Sequence, residues 1–162
     1  MRLPRDPALD PKLDPAVMTE IDWKGLLSPH EFQILRHAGT EAPGTGRYLD
    51  EERGGSYHCA GCAQRLYGGE HKFDSGCGWP SFFDAVAPGA LRLLEDRSFG
   101  RIRTEMRCSR CDGHLGHIFD DAPHMPTGKR HCVNGTALIF VPDGADPEEV
   151  VAAHRESSAD AG

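Results

Sequence analysis

Six cysteines carry the reactive potential of this 162-residue chain, and their spacing sorts them. The stretch Gly128-Lys129-Arg130-His131-Cys132-Val133-Asn134 sets one thiol beside two basic side chains, with Asn134 two residues on. A thiol becomes a nucleophile as its thiolate, and neighbouring positive charge lowers its pKa. Arg130 and His131 can supply that charge if their side chains turn toward Cys132. The plainer account of such a residue is a packed cysteine opening a core strand, since free cysteine is among the most buried residue types.

Four of the other five cysteines fall into two pairs. Cys59-Ala60-Gly61-Cys62 and Cys108-Ser109-Arg110-Cys111 have the spacing at which a tight turn aims two thiolates at one ion. Four thiolates in a tetrahedron make a closed structural zinc site. The gap between the pairs requires whole strands to intervene, so Zn2+ would cross-link two distant hairpins and, being saturated, do no chemistry. Redox disulfides within each pair are the competing reading, but neither pair opens an obvious βα unit. His58 and His71 are expected as surface or supporting groups rather than ligands.

Cys77 and Cys132 remain. Cys77 lies in Gly76-Cys77-Gly78, a setting in which a thiol can move toward a partner. A fixed nucleophile and a mobile second thiol divide labour as thiol redox enzymes do: one attacks, and the other resolves a sulfenic acid or mixed disulfide.

These residues need a scaffold, and the rest of the chain describes one. Glycine (19) and proline (12) are plentiful while aromatics make up 7%, which points to a turn-rich, mainly β domain. Ser28-Pro29-His30-Glu31 is a capping box with proline at the first helical position, and Leu27 and Phe32 sit where a hydrophobic staple would join them. With Phe32, Leu35 and Ala38 on one stripe and Gly39 as the stop, a helix is predicted over 29–38. Strands are predicted on both sides of the first Cys-x-x-Cys turn, over Ala90 to Glu95 paired with Gly100 to Met106, over His114 to Phe119, and over Thr136 to Val141. Asp146 caps a closing helix. Residues 1–18 are expected as a flexible tail, with an arm draped over the domain as the alternative; 19–156 form one domain and 157–162 fray.

A net charge of -7 argues against nucleic acid and anionic membranes as partners, and no apolar run approaches a membrane span. The segment from Met1 to Pro15 has no secretory h-region, so a cytoplasmic protein is expected, in which cysteines read as metal-binding or catalytic.

Three blocks together resemble the B-type (R-specific) methionine sulfoxide reductases. They are Gly76-Cys77-Gly78-Trp79-Pro80-Ser81-Phe82, His114-Leu115-Gly116-His117-Ile118-Phe119-Asp120-Asp121 and Arg130-His131-Cys132-Val133-Asn134. The likeness runs from about Ile21 to Pro142, and the Cys-x-x-Cys pairs match the zinc site of many members. It implies a β-tent: two antiparallel sheets with short peripheral helices. It also implies that Cys132 attacks, Cys77 resolves, and His114, His117 and Asn134 lie near the sulfoxide oxygen. Arg130 would help keep Cys132 ionised, Trp79 would receive the substrate's methyl group, and thioredoxin would reduce the product disulfide. A monomer is expected. Two positions depart from the pattern, with His131 where tyrosine is usual and Gly135 where serine is common.

A sulfoxide couples a polar S–O group to a methyl, so its site needs an apolar wall and donors facing oxygen. Trp79 can be the wall; His117 is the preferred proton donor and His114 the second choice. Asp121 and Glu105 are candidates to orient them. A non-catalytic zinc-ribbon binding module is the alternative, but it leaves Cys77, Cys132 and the histidines without a purpose. Another thiol-using zinc enzyme would need an open ligand position, which four cysteines do not offer.

Overall fold

A computed structural model describes residues 6–161. Two antiparallel sheets make the framework. The first five strands are β1 (Gly55–Cys59), β2 (Arg65–Gly68), β3 (Lys72–Phe73), β4 (Ser81–Phe82) and β5 (Leu91–Asp96). The others are β6 (Arg103–Cys108), β7 (His114–Phe119), β8 (Arg130–Val133) and β9 (Leu138–Pro142). One sheet has the order β2-β1-β9 and the other β3-β4-β8-β7-β6-β5. This is the expected mainly β tent, with its helices on the periphery.

Apolar and aromatic side chains between the sheets form the core. The rings of Tyr67 and Phe82 stack at 4.2 Å, and Tyr57 meets Phe82 edge-on at 5.0 Å and Phe140 at 4.9 Å. Tyr57, Tyr67 and Phe82 are all fully buried. Their burial supplies apolar area and fixes which face of each strand turns inward.

Local chemistry places the helices. Helix α1 (Glu20–Leu26) starts at a capping box of Thr19 and Asp22, which the sequence reading missed because the box ends in Asp rather than Glu. Helix α2 (Pro29–His37) has the predicted Ser28–Glu31 box. It ends one residue early: Ala38, not Gly39, takes the left-handed conformation (φ +52°). Helix α3 (Pro147–Ala161) continues through most of the segment expected to fray, and Gly162 lies outside the described residues.

The expected flexible tail is corrected from Asp6 onward. Residues 6–18 lie on the domain as an arm. Asp6 is fully buried and accepts from Arg155 of α3 at 2.9 Å. Arg110, inside the second Cys-x-x-Cys turn, donates to the Leu13 carbonyl at 3.3 Å and the Cys62 carbonyl at 3.1 Å. A buried charged pair and bound carbonyls outweigh the loss of chain entropy that loose termini avoid. Residues 1–5 of the expected tail lie outside the described residues.

Candidate active site and metal centre

The metal site arises from two copies of one turn. In each, the residue after the second cysteine has positive φ, +64° at Ala63 and +61° at Asp112, and donates back to the carbonyl of the first cysteine. The first turn leaves β1 of the three-stranded sheet; the second leaves β6 of the other. All four sulfurs lie within 4.8 Å of one another, with Cys59 to Cys111 at 3.6 Å and Cys62 to Cys108 at 3.5 Å. A tetrahedral ion with thiolate bonds of about 2.3 Å places its sulfurs about 3.8 Å apart, so the set fits a metal. Without one, crowding pushes the Cys111 thiol well above its usual range, through Cys108 first and then Cys59 and Cys62. A cation would let all four ionise and would tie the two sheets together. His58, held by Ser56 and the Ala63 carbonyl, supports the first turn without contacting a sulfur within hydrogen-bond range.

The second site is written in strand register. Ser81 pairs with Cys132, Cys132 with His117, His117 with Glu105, and Glu105 with Leu94, a single row across five strands of the larger sheet. Directly opposed residues project to the same face, so the row gathers these side chains without help from loops. It opens into a cleft of about 290 Å³ lined by Cys77, Trp79, His117, Arg130, Cys132 and Asn134, among others. All the sequence-predicted site residues outside the metal centre except His114 line it. His114 is buried behind, its ring 5.6 Å from that of His117 and its Nδ1 2.6 Å from Glu105. Burial lowers the His114 pKa despite Glu105, so it is a neutral donor to that carboxylate.

Cys77 Sγ lies 3.8 Å from Cys132 Sγ. Glycines on both sides of Cys77 adopt positive φ, +74° at Gly76 and +90° at Gly78, and turn the loop back over β8. Burial pushes the Cys132 thiol up to about 12, the nearby Cys77 adding to it. Arg130 pulls the other way, as expected, but is outweighed. Its guanidinium is occupied by Asp121 at 3.0 and 2.9 Å and stacked on Phe119 at 4.4 Å. Burial also opposes ionisation of Cys77, but hydrogen bonds with Ser75 and Ser81 outweigh it and bring that thiol to about 7. Burial thus weighs against ionisation of Cys132 more than Arg130 favours it, while hydrogen bonding favours ionisation of Cys77.

His131 is corrected too. Strand alternation turns it to the opposite face from Cys132, where its Nδ1 meets the Tyr67 hydroxyl at 3.0 Å. It is buried, and burial lowers its pKa to about 4, so it brings no charge to the nucleophile. Gly135 has a steric cause: a Cβ there would stand 2.1 Å from the Arg47 carbonyl oxygen.

Three residues that sequence reasoning passed over complete the site. Asp96 Oδ2 meets His117 Nε2 at 2.7 Å, while Ser98 first and His117 after it hold this carboxyl below the usual range. In the sequence Asp96 looks only like the start of a turn. Glu41 is buried and accepts from Gly135 N, Thr136 N and Thr136 Oγ1 at 2.8–2.9 Å. Its own backbone N–H donates to Asn134 Oδ1 and its carbonyl accepts from Trp79 Nε1, each at 3.0 Å. One residue thus anchors both Asn134 and Trp79. Ser81 is the third, touching Cys77 Sγ at 3.4 Å.

The SelR domain matches residues 27–142. The chain is 51% identical to the peptide methionine sulfoxide reductase MsrB of Leifsonia xyli subsp. xyli, over 75% of this chain and 88% of that one. It is 48% identical to the protein of the same name from Agrobacterium fabrum, over 76% and 91% of the two chains. The Synechococcus sp. (strain RCC307) protein of that name is also 48% identical, over 78% and 93%. Two thiols paired in a cleft with an aromatic wall, and four further cysteines clustered at the strand ends, stand in a chain that belongs to the SelR-domain family of MsrB-type peptide methionine sulfoxide reductases.

Proposed function

We propose that the chain reduces methionine-R-sulfoxide in peptides through a Cys132 sulfenic acid and a Cys77–Cys132 disulfide. The 3.8 Å separation of the two sulfurs within one cleft carries this reading. Trp79 receives the methyl group, and its indole plane is fixed by the Glu41 carbonyl. His117, braced by Asp96, is the acid facing the oxygen, and Asn134 borders the same space.

The protons balance without an outside donor in the first step. The Cys132 sulfur bonds to the sulfoxide sulfur and gives up its proton, which the neighbouring Cys77 thiolate can accept. His117 protonates the oxygen; the hydroxyl then passes to the Cys132 sulfur as the bond between the two sulfurs breaks, so methionine departs with its sulfur reduced and Cys132 is left oxidised as S–OH. Cys77 gives that proton up to the medium and, as a thiolate again, attacks Cys132: the disulfide bond forms, the S–O bond breaks, and the hydroxide takes up a proton and leaves as water. Thioredoxin reduces the disulfide.

Zinc is the ion that best fits four buried thiolates, and Cys59, Cys62, Cys108 and Cys111 would hold it. When bound it supplies cross-linking rather than chemistry. No described helix is long and apolar enough to cross a membrane, and a reducing cytoplasm suits the proposed free thiols. A monomer is the working stoichiometry. The deciding experiment incubates the protein with resolved R and S methionine sulfoxide peptides and dithiothreitol, read by mass spectrometry. Reduction of the R form alone is expected; equal reduction of both, or of neither, overturns the assignment.

A further inference from the structure

The Cys77 loop contains a hydroxyl pair that the mechanism above leaves unused. Ser75 Oγ and Ser81 Oγ are 2.7 Å apart. Ser81, 1% exposed, also contacts Cys77 Sγ at 3.4 Å and donates to the Trp79 carbonyl at 3.1 Å. Ser75 Oγ accepts from the Cys77 backbone N–H at 3.3 Å. Because Ser81 is the register partner of Cys132, its hydroxyl is fixed by the sheet, while Cys77 sits on a loop. The sheet thereby reaches the mobile thiol through Ser81.

We infer that Ser81, backed by Ser75, is a positioning residue for disulfide closure: its hydroxyl donates to Cys77 Sγ and aims that sulfur, charged, at Cys132. The Ser81 proton has three acceptors within reach, the Ser75 hydroxyl, the Trp79 carbonyl and the Cys77 sulfur, and where Ser75 donates to Ser81 the choice lies between the last two. A Cys77 thiol can donate to the Trp79 carbonyl itself, at 3.5 Å, whereas a thiolate can only accept. Loss of the Cys77 proton thus turns Ser81 toward sulfur, and formation of the disulfide releases it. In the closing step the Cys77–Cys132 bond forms and the Cys132 S–O bond breaks. Cys77 is oxidised, the sulfenic sulfur is reduced, and hydroxide leaves to take a proton from the medium.

Other titratable and charged groups line the same cleft. Cys132 and Arg130 come from β8, His117 from β7, and Arg101 and Arg103 line the cleft from the β5–β6 side. The carboxylate of Asp74, three residues upstream, is spent on the Gly76 N–H at 3.0 Å. The arginines favour a thiolate anywhere in the cleft, and Arg130 hydrogen-bonds Cys132 directly; the hydroxyl pair acts on Cys77.

The inference rests on Cys77 being the resolving thiol, and two measurements on the metal-loaded protein separate the ideas. In a Cys132→Ser background, the pH profile of Cys77 alkylation by iodoacetamide should move up by about one unit in Ser81→Ala, and return in Ser81→Thr. With both cysteines present, single-turnover quench should show disulfide formation slowed about tenfold relative to methionine formation in Ser81→Ala. Ser75→Ala, at a half-buried site, should move both readings in the same direction and serves if Ser81→Ala does not fold. An unmoved alkylation profile, or a ratio within about twofold of the parent, overturns the inference. Sustained thioredoxin-linked turnover by Cys77→Ser would instead dismiss the resolving role of Cys77, and the alkylation shift would survive it.

Discussion

His117 and Cys132 are direct partners across β7 and β8, so the proposed acid and nucleophile are set by ladder register. A one-residue slip in either strand would send one of them to the core face. The site therefore inherits its precision from the larger sheet, and the loops contribute Cys77 and Trp79 on top of it.

The two thiols should separate cleanly by mutation. Cys132→Ser is expected to abolish reduction of sulfoxide under every reductant. Cys77→Ser should yield one equivalent of methionine per chain and then stall with thioredoxin. Methionine released per chain, measured by mass spectrometry, checks both outcomes.

Glu41→Ala should damage stability and substrate binding together. It strands two buried backbone N–H groups and one hydroxyl, a cost of about 2–4 kcal/mol. It also frees the loops that carry Trp79 and Asn134, so KM should rise more than kcat falls. Thermal melts and steady-state kinetics read the two effects separately.

Acid should unfold the protein partly through Glu31. Burial alone would raise its pKa, but His154 at 2.6 Å, the Ser28 N–H and Arg47 at 3.2 Å bring it down to about 2. A carboxylate depressed in the folded state stabilises above its unfolded pKa and loses that contribution as pH falls toward the folded value. The loss should run from about pH 4.5 to 2 and amount to something on the order of 3 kcal/mol. Urea melts across that range should steepen this way in the parent and flatten in Glu31→Gln.

Removing the metal should loosen the whole tent rather than the active site alone. The ion joins the end of β1 to the end of β6, so chelation under denaturing stress, or Cys59→Ser, should lower Tm by more than 10 °C, an expectation of about that size for a structural site. Thiol alkylation of the intact protein should reach Cys77 and Cys132 while the four cluster cysteines stay protected; differential scanning calorimetry and a mass map check the pair of effects.

His131→Phe should leave the pH–rate profile unchanged, because His131 lies on the far face of β8 from the nucleophile. Its cost is structural: the Tyr67 hydroxyl loses a 3.0 Å partner and keeps the Met106 sulfur at 3.3 Å, for a destabilisation of about 1 kcal/mol. A displaced pH optimum would contradict this placement.

Much of the site was readable from residue types alone. Two Cys-x-x-Cys turns carry their own geometry, since a tight turn brings the second sulfur to the first whatever the surrounding fold. The cap of α2 needed only Ser28, Pro29 and Glu31, all within one turn. Cys77, Trp79, His117, Cys132 and Asn134 stood in the three short blocks whose likeness to a known family singled them out. What local pattern could not supply was the partner of each group. Asp96 meets His117 and Glu41 meets Thr136 only after distant strands pair, so neither was visible in a linear reading. The forces acting on each thiol were likewise hidden until burial could be weighed against Ser75, Ser81, Asp121 and Arg130. The sequence by itself determined which chemistry was available, because bond-forming groups are properties of residues. Tertiary structure decided how burial and hydrogen bonding bear on each sulfur and which carboxylate braces which base, because desolvation and hydrogen bonding depend on neighbours far along the chain.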